Sequence, residues 1–349
     1  MKTATHIIVF RLSAMGDVAM TVPVIRALIE QHPDVKITFV SKPFLKPLFK
    51  NVRNVTFLSA NVQKEHKGIL GLFKLYKEIK RLQPTHFADL HNVLRSKIIR
   101  TFFKIGTSIP IAKIDKGRKE KKALTRTTQK VFKQLKTSHQ RYADVFTSLG
   151  FPVDLNKRSS LVSHTLNSDN ESLFGKKDRP WLGIAPFAAF ASKTYPIDLM
   201  ESVIKLLSLE DIQIFLFGGK ADITTLKNIE QQYDNVTSVA NTLGGLENEL
   251  NLIANLDVML SMDSGNAHFA AMQGTKTITL WGNTHPYAGF APFNQPKEYC
   301  ILPDLEKYPL LPCSIYGNKT ISGYEDVMRS ISPKQVVAKI LLEIKKDYH

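Results

Sequence analysis

Short runs of β-branched and aromatic residues alternate with helical periodicity along this chain, and the alternation starts twice. The first series opens with a strand over His6–Leu12, a loop Ser13–Asp17 and a helix spaced by Val18, Val22, Ile25 and Leu28. It continues through strands at Lys36–Val40 and Val55–Leu58, an amphipathic helix at Ile69–Leu82 and a strand at Phe87–Leu90. The second series opens at Trp181–Pro186. It runs through a helix at Asp198–Leu207, a strand at Ile212–Phe217, helices at Ile223–Gln232 and Leu246–Ala254, and strands at Val258–Ser261 and Thr277–Trp281. Apolar strands separated by amphipathic helices predict a parallel sheet covered on both faces. Two starts within 349 residues predict two α/β domains of ordinary size.

We place the boundary at 160/161. Residues 1–160 form the first domain and 161–330 the second, with a helix at Arg141–Leu149 stopped by Gly150-Phe151-Pro152. The polar stretch Asn156–Arg179 reads as a linker holding one short strand around Leu161, and residues 331–349 carry a closing helix, Pro333–Lys346. Doubly wound sheets bind ligands outside the carboxyl ends of their strands, so a tandem pair predicts a site in an interdomain cleft.

The opening apolar run, Ile7–Phe10, is interrupted by Arg11 before a signal-peptide core could form, and no stretch approaches the length that crosses a bilayer. Cys300 and Cys313 have neither metal nor redox spacing. A cytoplasmic protein is the expectation. The formal charge of +16 is concentrated: Arg95–Lys136 holds 14 Lys and Arg against two acids, Asp115 and Glu120. Such a field attracts a polyanion: nucleic acid, an anionic membrane face or an acidic glycolipid. The same run also reads as a solvated basic loop with no specific partner.

The chain lacks G-x-G-x-x-G after its first strand, the P-loop, H-E-x-x-H, G-x-S-x-G and any Asp-x-Asp. Its most informative segment is Ser261–Gly274. Asp263 ends a strand, Ser264 and Gly265 form a turn, and Asn266–Gln273 form a helix whose N-terminal amides and dipole suit a diphosphate. An ordinary helix cap by Asp263 or Ser264, with His268 packed, accounts for the same residues.

Asp263-Ser264-Gly265, then His268, Ala270-Ala271 and Gly274, followed by a strand and Gly282-Asn283-Thr284, resembles the donor-site signature of glycosyltransferase family 9, the ADP-heptose:lipopolysaccharide heptosyltransferases. Arg11-Leu12-Ser13-Ala14-Met15-Gly16-Asp17-Val18 resembles that family's opening loop. The resemblance implies a GT-B fold, two Rossmann-like doubly wound domains facing an interdomain cleft. It implies an inverting, metal-independent glycosyltransferase that moves a sugar, heptose from ADP-heptose, onto a lipopolysaccharide or lipooligosaccharide core. No cofactor is implied, the nucleotide-sugar being a substrate.

Asp17, which by itself reads equally as a helix N-cap, inherits the role of general base, and Lys193, by itself a solvated surface lysine in a K-x-W-P-like segment where Tyr195 replaces tryptophan, that of neutralising the departing diphosphate. Gly218, Asp263, Ser264, Gly265 and His268 join Lys193 at the donor. Ser13, Met15, Gly16, His91, Arg95, Arg118 and Lys119 are assigned to the acceptor, an acidic glycolipid met at the inner face of the cytoplasmic membrane. His91-Asn92 stands where relatives have Gln-Gly, and Ala188 and Phe190 where they have small polar residues. Gly218-Gly219 resembles the glycine turn near the nucleotide, and Glu247–Leu250 a further region loosely. The alternative is a polyanion- or nucleic-acid-binding protein without transferase activity, for which no reading motif is present.

Overall fold

A computed structural model of the chain describes residues 5–157 and 165–348. It divides into two compact units, Met1–Lys116 with Ser138–Ser160, and Gly117–Thr137 with Leu161–His349. The strand expected around Leu161 and the boundary at 160/161 fall outside the described residues.

The first unit comprises β1 (His6–Phe10), α1 (Met15–Ala19), α2 (Thr21–Gln31), β2 (Lys36–Ser41), β3 (Val55–Ser59), α3 (Gly68–Arg81), β4 (His86–Asp89), α4 (Leu94–Gly106) and β5 (Ile111–Lys113). The chain then supplies α5 (Arg118–Leu124) to the second unit and returns with α6 (Ser138–Thr147). All five strands are parallel, in the order β3-β2-β1-β4-β5. Consecutive crossovers wind outward from β1 in both directions, so the gap between β1 and β4 is the switch point of a doubly wound sheet. On one face Leu72, Leu75, Tyr76 and Ile79 of α3 meet Ile99 and Phe103 of α4 and the sheet residues Ile8, Phe10 and Phe87, all buried. These spacings of three and four put one apolar stripe of each helix on the sheet.

The second unit adds α7 (Ser168–Phe174), β6 (Trp181–Ala185), α8 (Ile197–Leu207), β7 (Gln213–Leu216), α9 (Ile223–Glu230), β8 (Val236–Ser238), α10 (Leu246–Ala254), β9 (Val258–Met262), α11 (Gly265–Gln273), β10 (Lys276–Leu280), β11 (Cys300–Ile301) and α12 (Pro333–Tyr348). Its strands are also all parallel, in the order β11-β10-β9-β6-β7-β8, with the switch point between β6 and β9. Every residue of β6 and β9 is buried, as a sheet covered on both faces requires. The closing helix α12 belongs to this unit's core. Val336, Ile340 and Ile344 pack with Met200, Val203 and Ile204 of α8, and the buried Glu343 carboxylate accepts from Tyr299 Oη at 2.6 Å and from Lys339 and Lys346 at 2.9 Å.

The basic run does not form one solvated loop. Its first part folds as α4 and β5, and Gly117–Thr137, which the sequence reading placed in the first domain, belongs to the second unit. There Lys121 is buried with its ammonium 4.0 Å from the Phe290 ring centre, and Lys130 donates to the carbonyls of Leu310 and Pro312 at 2.6 and 2.9 Å. Leu124 and Leu135 pack with Ala288 in a small core of their own.

Candidate functional site

Each sheet places polar loops at its switch point. In the first, Phe10 and Asp89 are register partners, so the loops that follow β1 and β4 leave adjacent strands at the same level. Arg11 is 5% exposed. Its guanidinium donates to the Leu90 carbonyl, pairs with Asp17 Oδ2 at 2.6 Å and lies 5.4 Å from the Tyr142 ring centre. A charge this buried is tolerated because it is paired and hydrogen-bonded.

Asp17 is not the cap residue of its helix. It occupies the third position of α1 and reaches back to accept the Ala14 amide through the same Oδ2, at 3.2 Å. Arg11 and the helix start therefore orient one carboxylate together. Gly16 lies inside α1 rather than in a turn, while Ser13 is half-buried and Met15 exposed beside it.

From β4, Asp89 is fully buried. It takes the amides of His91 and Asn92 on Oδ1, at 2.9 and 2.7 Å, and faces Arg100 at 3.4 Å through Oδ2. It braces the loop that presents His91. The His91 ring accepts the Leu12 amide on Nδ1 at 3.3 Å and stands 3.5 Å from Ser13 Oγ through Nε2. Accepting on Nδ1 requires the neutral tautomer with the proton on Nε2. Burial, and then the charges of Arg11 and Lys116, lower the His91 pKa to about 3.

The unfolded imidazole takes up a proton near its ordinary value of 6.5 and the folded one only near 3, so His91 contributes stability above pH 6.5 that is lost as pH falls toward 3. His91→Gln keeps an acceptor for Leu12 and should flatten this limb. Wild type should lose about 2 kcal/mol more than the variant between pH 6.5 and 5, at about 1.4 kcal/mol per unit. Urea midpoints at the two pH values measure it, and parallel acid limbs would refute it.

In the second sheet, loops follow β6, β9 and β10. Lys193 donates to the Asp263 carbonyl at 2.6 Å and to its Oδ2 at 3.2 Å, and the Thr284 hydroxyl donates to that oxygen at 2.9 Å. Asn283, fully buried, ties the loops further by donating its amide to the Ser192 carbonyl at 3.0 Å. Gly282 is required there, since a Cβ would stand 2.2 Å from the same carbonyl oxygen. Asp263 is thus the brace that holds the turn in front of α11.

Ser264 occupies the cap position of α11, but its side chain makes no capping bond; its hydroxyl lies 3.1 Å from that of Ser261. Gly265 is the first residue of α11, Gly274 closes the helix in the left-handed region, and His268 is buried along it. Gly218 has a packing reason of its own, because a Cβ there would stand 2.6 Å from Leu226. Glu249 of α10 has its carboxyl pushed up to about 7 by burial.

Tyr195 faces the core instead of the loop. It is fully buried, donates its hydroxyl to the Ile331 carbonyl at 2.7 Å, and burial pushes the phenol up to about 12. Tyr195→Phe leaves that carbonyl without its donor and should cost about 1–3 kcal/mol in urea unfolding, with ligand affinity unchanged. A loss of affinity at unchanged stability would put Tyr195 in the site instead.

The structure brings Ser13, Met15, Gly16, Asp17, His91 and Arg95 together at the carboxyl end of the first sheet, with Arg95 exposed in the first turn of α4. Lys193, Asp263, Ser264, Gly265 and His268 gather at the carboxyl end of the second. Arg118 and Lys119, assigned with the first group, lie exposed on α5 in the other unit.

The sequence pattern assigns no role to Arg11, Asn283 or Thr284. A charged residue interrupting an apolar strand was the available signal for Arg11, since such a charge needs a buried partner. A pocket of about 260 Å³ within the second unit, lined by Phe132, Thr279, His285, Tyr287 and Cys300 among others, touches none of the residues assigned to the donor. Among the described residues, no group of three or more His, Cys, Asp or Glu is placed to hold a metal ion, and no helix is long and apolar enough to cross a membrane.

Comparison with known proteins meets this geometry. The family model described as glycosyltransferase family 9 (heptosyltransferase) matches residues 72–313, a span that includes Lys193 and Asp263–Gly274 and leaves the Arg11–Asp17 loop outside. The lipopolysaccharide core heptosyltransferase OpsX of Haemophilus influenzae is 24% identical over 293 residues, covering 82% of this chain and 81% of that protein. Two solved structures share the fold over nearly the whole length. A glycosyl transferase family 9 protein from Veillonella parvula has a TM-score of 0.74 at 16% identity, with 98% of both chains covered. The ADP-heptose LPS heptosyltransferase II of E. coli has a TM-score of 0.71 at 17% identity, with 99% of this chain and 100% of that one covered.

Proposed function

The chain belongs to glycosyltransferase family 9, the heptosyltransferase family, and from that membership we propose that it transfers heptose from ADP-heptose to the core of a lipopolysaccharide-type glycolipid, inverting the anomeric centre without a metal ion. It is a glycosyltransferase of GT-B fold. The names of its relatives, a lipopolysaccharide core heptosyltransferase and an ADP-heptose heptosyltransferase, support the finer statement.

The observation that carries the reading is that each unit holds a polar loop set at the switch point of its own sheet. One holds a carboxylate oriented by Arg11; the other holds Lys193 beside the uncapped start of a nine-residue helix. In the reaction, Asp17 accepts the proton of the acceptor hydroxyl. That oxygen forms a bond to the anomeric carbon from the face opposite the diphosphate, and the bond from that carbon to the diphosphate oxygen breaks. The electron pair leaves with ADP.

The Lys193 ammonium has three protons and gives two to Asp263, which leaves one for the diphosphate. The amides at the start of α11 take the remaining charge. A glycolipid acceptor of this kind supports a working position at the inner face of the cytoplasmic membrane.

Titrating ADP, UDP, GDP and ADP-heptose into the protein in EDTA tests the donor. Selective binding of ADP or ADP-heptose that Lys193→Ala/His268→Ala abolishes is the expected result. No binding of any nucleoside diphosphate would overturn the donor site, and binding only after added Mg²⁺ would overturn metal independence.

A further inference from the structure

Apart from these loops, the first unit carries an apolar surface that its own core does not use. The inward stripes of α3 and α4 are covered by the sheet, yet Ile69 is 65% exposed, Leu70 85% and Leu94 74%, with Phe73 also open. The two helices run in the same direction, each crossing between parallel strands, and Tyr76 against Phe103 and Phe73 against Phe102 fix them side by side, ring centres 4.9 and 5.3 Å apart. Both helix starts therefore lie at the carboxyl end of the sheet, the end that carries Asp17 and His91, and α4 begins three residues after His91.

Around this ridge cations outnumber acids, with Glu65 of the loop before α3 also exposed. Lys67, Lys74, Lys77, Arg95 and Lys97 are exposed, and Lys77 folds over the Phe73 ring at 4.7 Å. The single acid of the two helices, Glu78, pairs with His66 at 3.1 Å.

We propose that the N-terminal halves of α3 and α4 dock the protein on an anionic bilayer, with Ile69, Leu70, Phe73 and Leu94 entering the headgroup boundary and the surrounding lysines meeting lipid phosphates. An exposed cluster of large apolar side chains marks an interaction surface, and an apolar ridge flanked by lysines is the pattern of a helix lying in a membrane interface. A second copy of the chain fits poorly, because a two-fold contact would set these cations against themselves. The later part of the basic run, Gly117–Thr137 in the other unit, is not the better anchor, since Lys121 and Lys130 are already committed to Phe290 and to backbone carbonyls. The inference rests on the glycolipid acceptor proposed above. Docked this way, the sheet end bearing Asp17 faces the layer in which such an acceptor is anchored.

The test is flotation of the full-length protein with vesicles of phosphatidylcholine alone or with 3:7 phosphatidylglycerol, free of any glycolipid, so that failure leaves the transferase reading standing; ADP titration of each variant reports on that reading separately. Binding to the anionic vesicles only, weakened by high salt, is expected. Ile69→Ser/Leu70→Ser should lower the partition coefficient roughly tenfold or more. Lys74→Gln/Lys77→Gln should lower it about 25-fold, at about fivefold per cation near an anionic surface. Lys122→Gln/Arg126→Gln/Lys133→Gln, on the other unit, should stay within about twofold of wild type. All these positions are exposed, so the variants should keep the wild-type melting temperature. Absence of binding by the wild type, a loss confined to the 122/126/133 variant, or a lipid-free dimer that only the Ile69→Ser/Leu70→Ser variant dissociates would each overturn the proposal.

Discussion

Asp17→Asn should reduce turnover by roughly 10²- to 10⁴-fold while ADP binds as it does to wild type. The substitution removes the only property the proposed mechanism asks of this residue, the capacity to take a proton, and preserves its shape. Asparagine keeps an oxygen that can accept from Arg11 and from the Ala14 amide, the two donors that hold Oδ2 at 2.6 and 3.2 Å, so the start of α1 stays in place. Single-turnover kinetics with saturating donor isolates the chemical step. A rate within about tenfold of wild type would remove Asp17 as the base. A matched fall in ADP affinity would show instead that the loop had collapsed.

Lys193→Ala should act on two quantities at once. The Lys193 and Asp263 side chains are 12% and 9% exposed, so removing the ammonium leaves a largely buried carboxylate with the Thr284 hydroxyl as its remaining partner. Breaking such a pair from one side costs about 3–5 kcal/mol. The loss should be read as a lower urea midpoint. The same ammonium is assigned to the departing diphosphate, and loss of one such donor lowers turnover by about 10²- to 10³-fold.

Adding Asp263→Asn separates the two. Neutralising the stranded carboxylate should return part of the stability, and turnover should stay low. Recovery of turnover along with stability would make Lys193 a structural residue only.

Much of the fold was legible from pattern. The alternation of strands and helices announced two parallel sheets because both faces of such a sheet must be covered, and the observed strands lie within a residue or two of the expected ones at Lys36, Val55, Trp181 and Val258. What escaped was α4. Its inward residues Ile99 and Phe103 keep helical spacing, but Arg95, Lys97, Arg100 and Lys104 fill the intervening positions and leave an apolar stripe too narrow to stand out as a period. Short edge strands such as β8 and β11 also escaped, since two or three residues carry no periodicity of their own. The Asp17 loop and the Ser261–Gly274 turn were legible as motifs. The bond that braces the second was not, because Lys193 and Asp263 are 70 residues apart.

The sequence by itself determined what can be written as a local rule: most of the longer strands and helices, that the strands run parallel, and which loops carry the family's signature. Tertiary structure alone decided the rest. It placed Gly117–Thr137 with the second unit, took Lys121 and Lys130 out of the basic face, turned Tyr195 into the core, and held His91 neutral against Leu12 and Ser13. The reason is physical. A residue's spacing states which face it can share, but burial, and with it the protonation and pairing of every charged group, depends on partners that only the folded chain brings within reach.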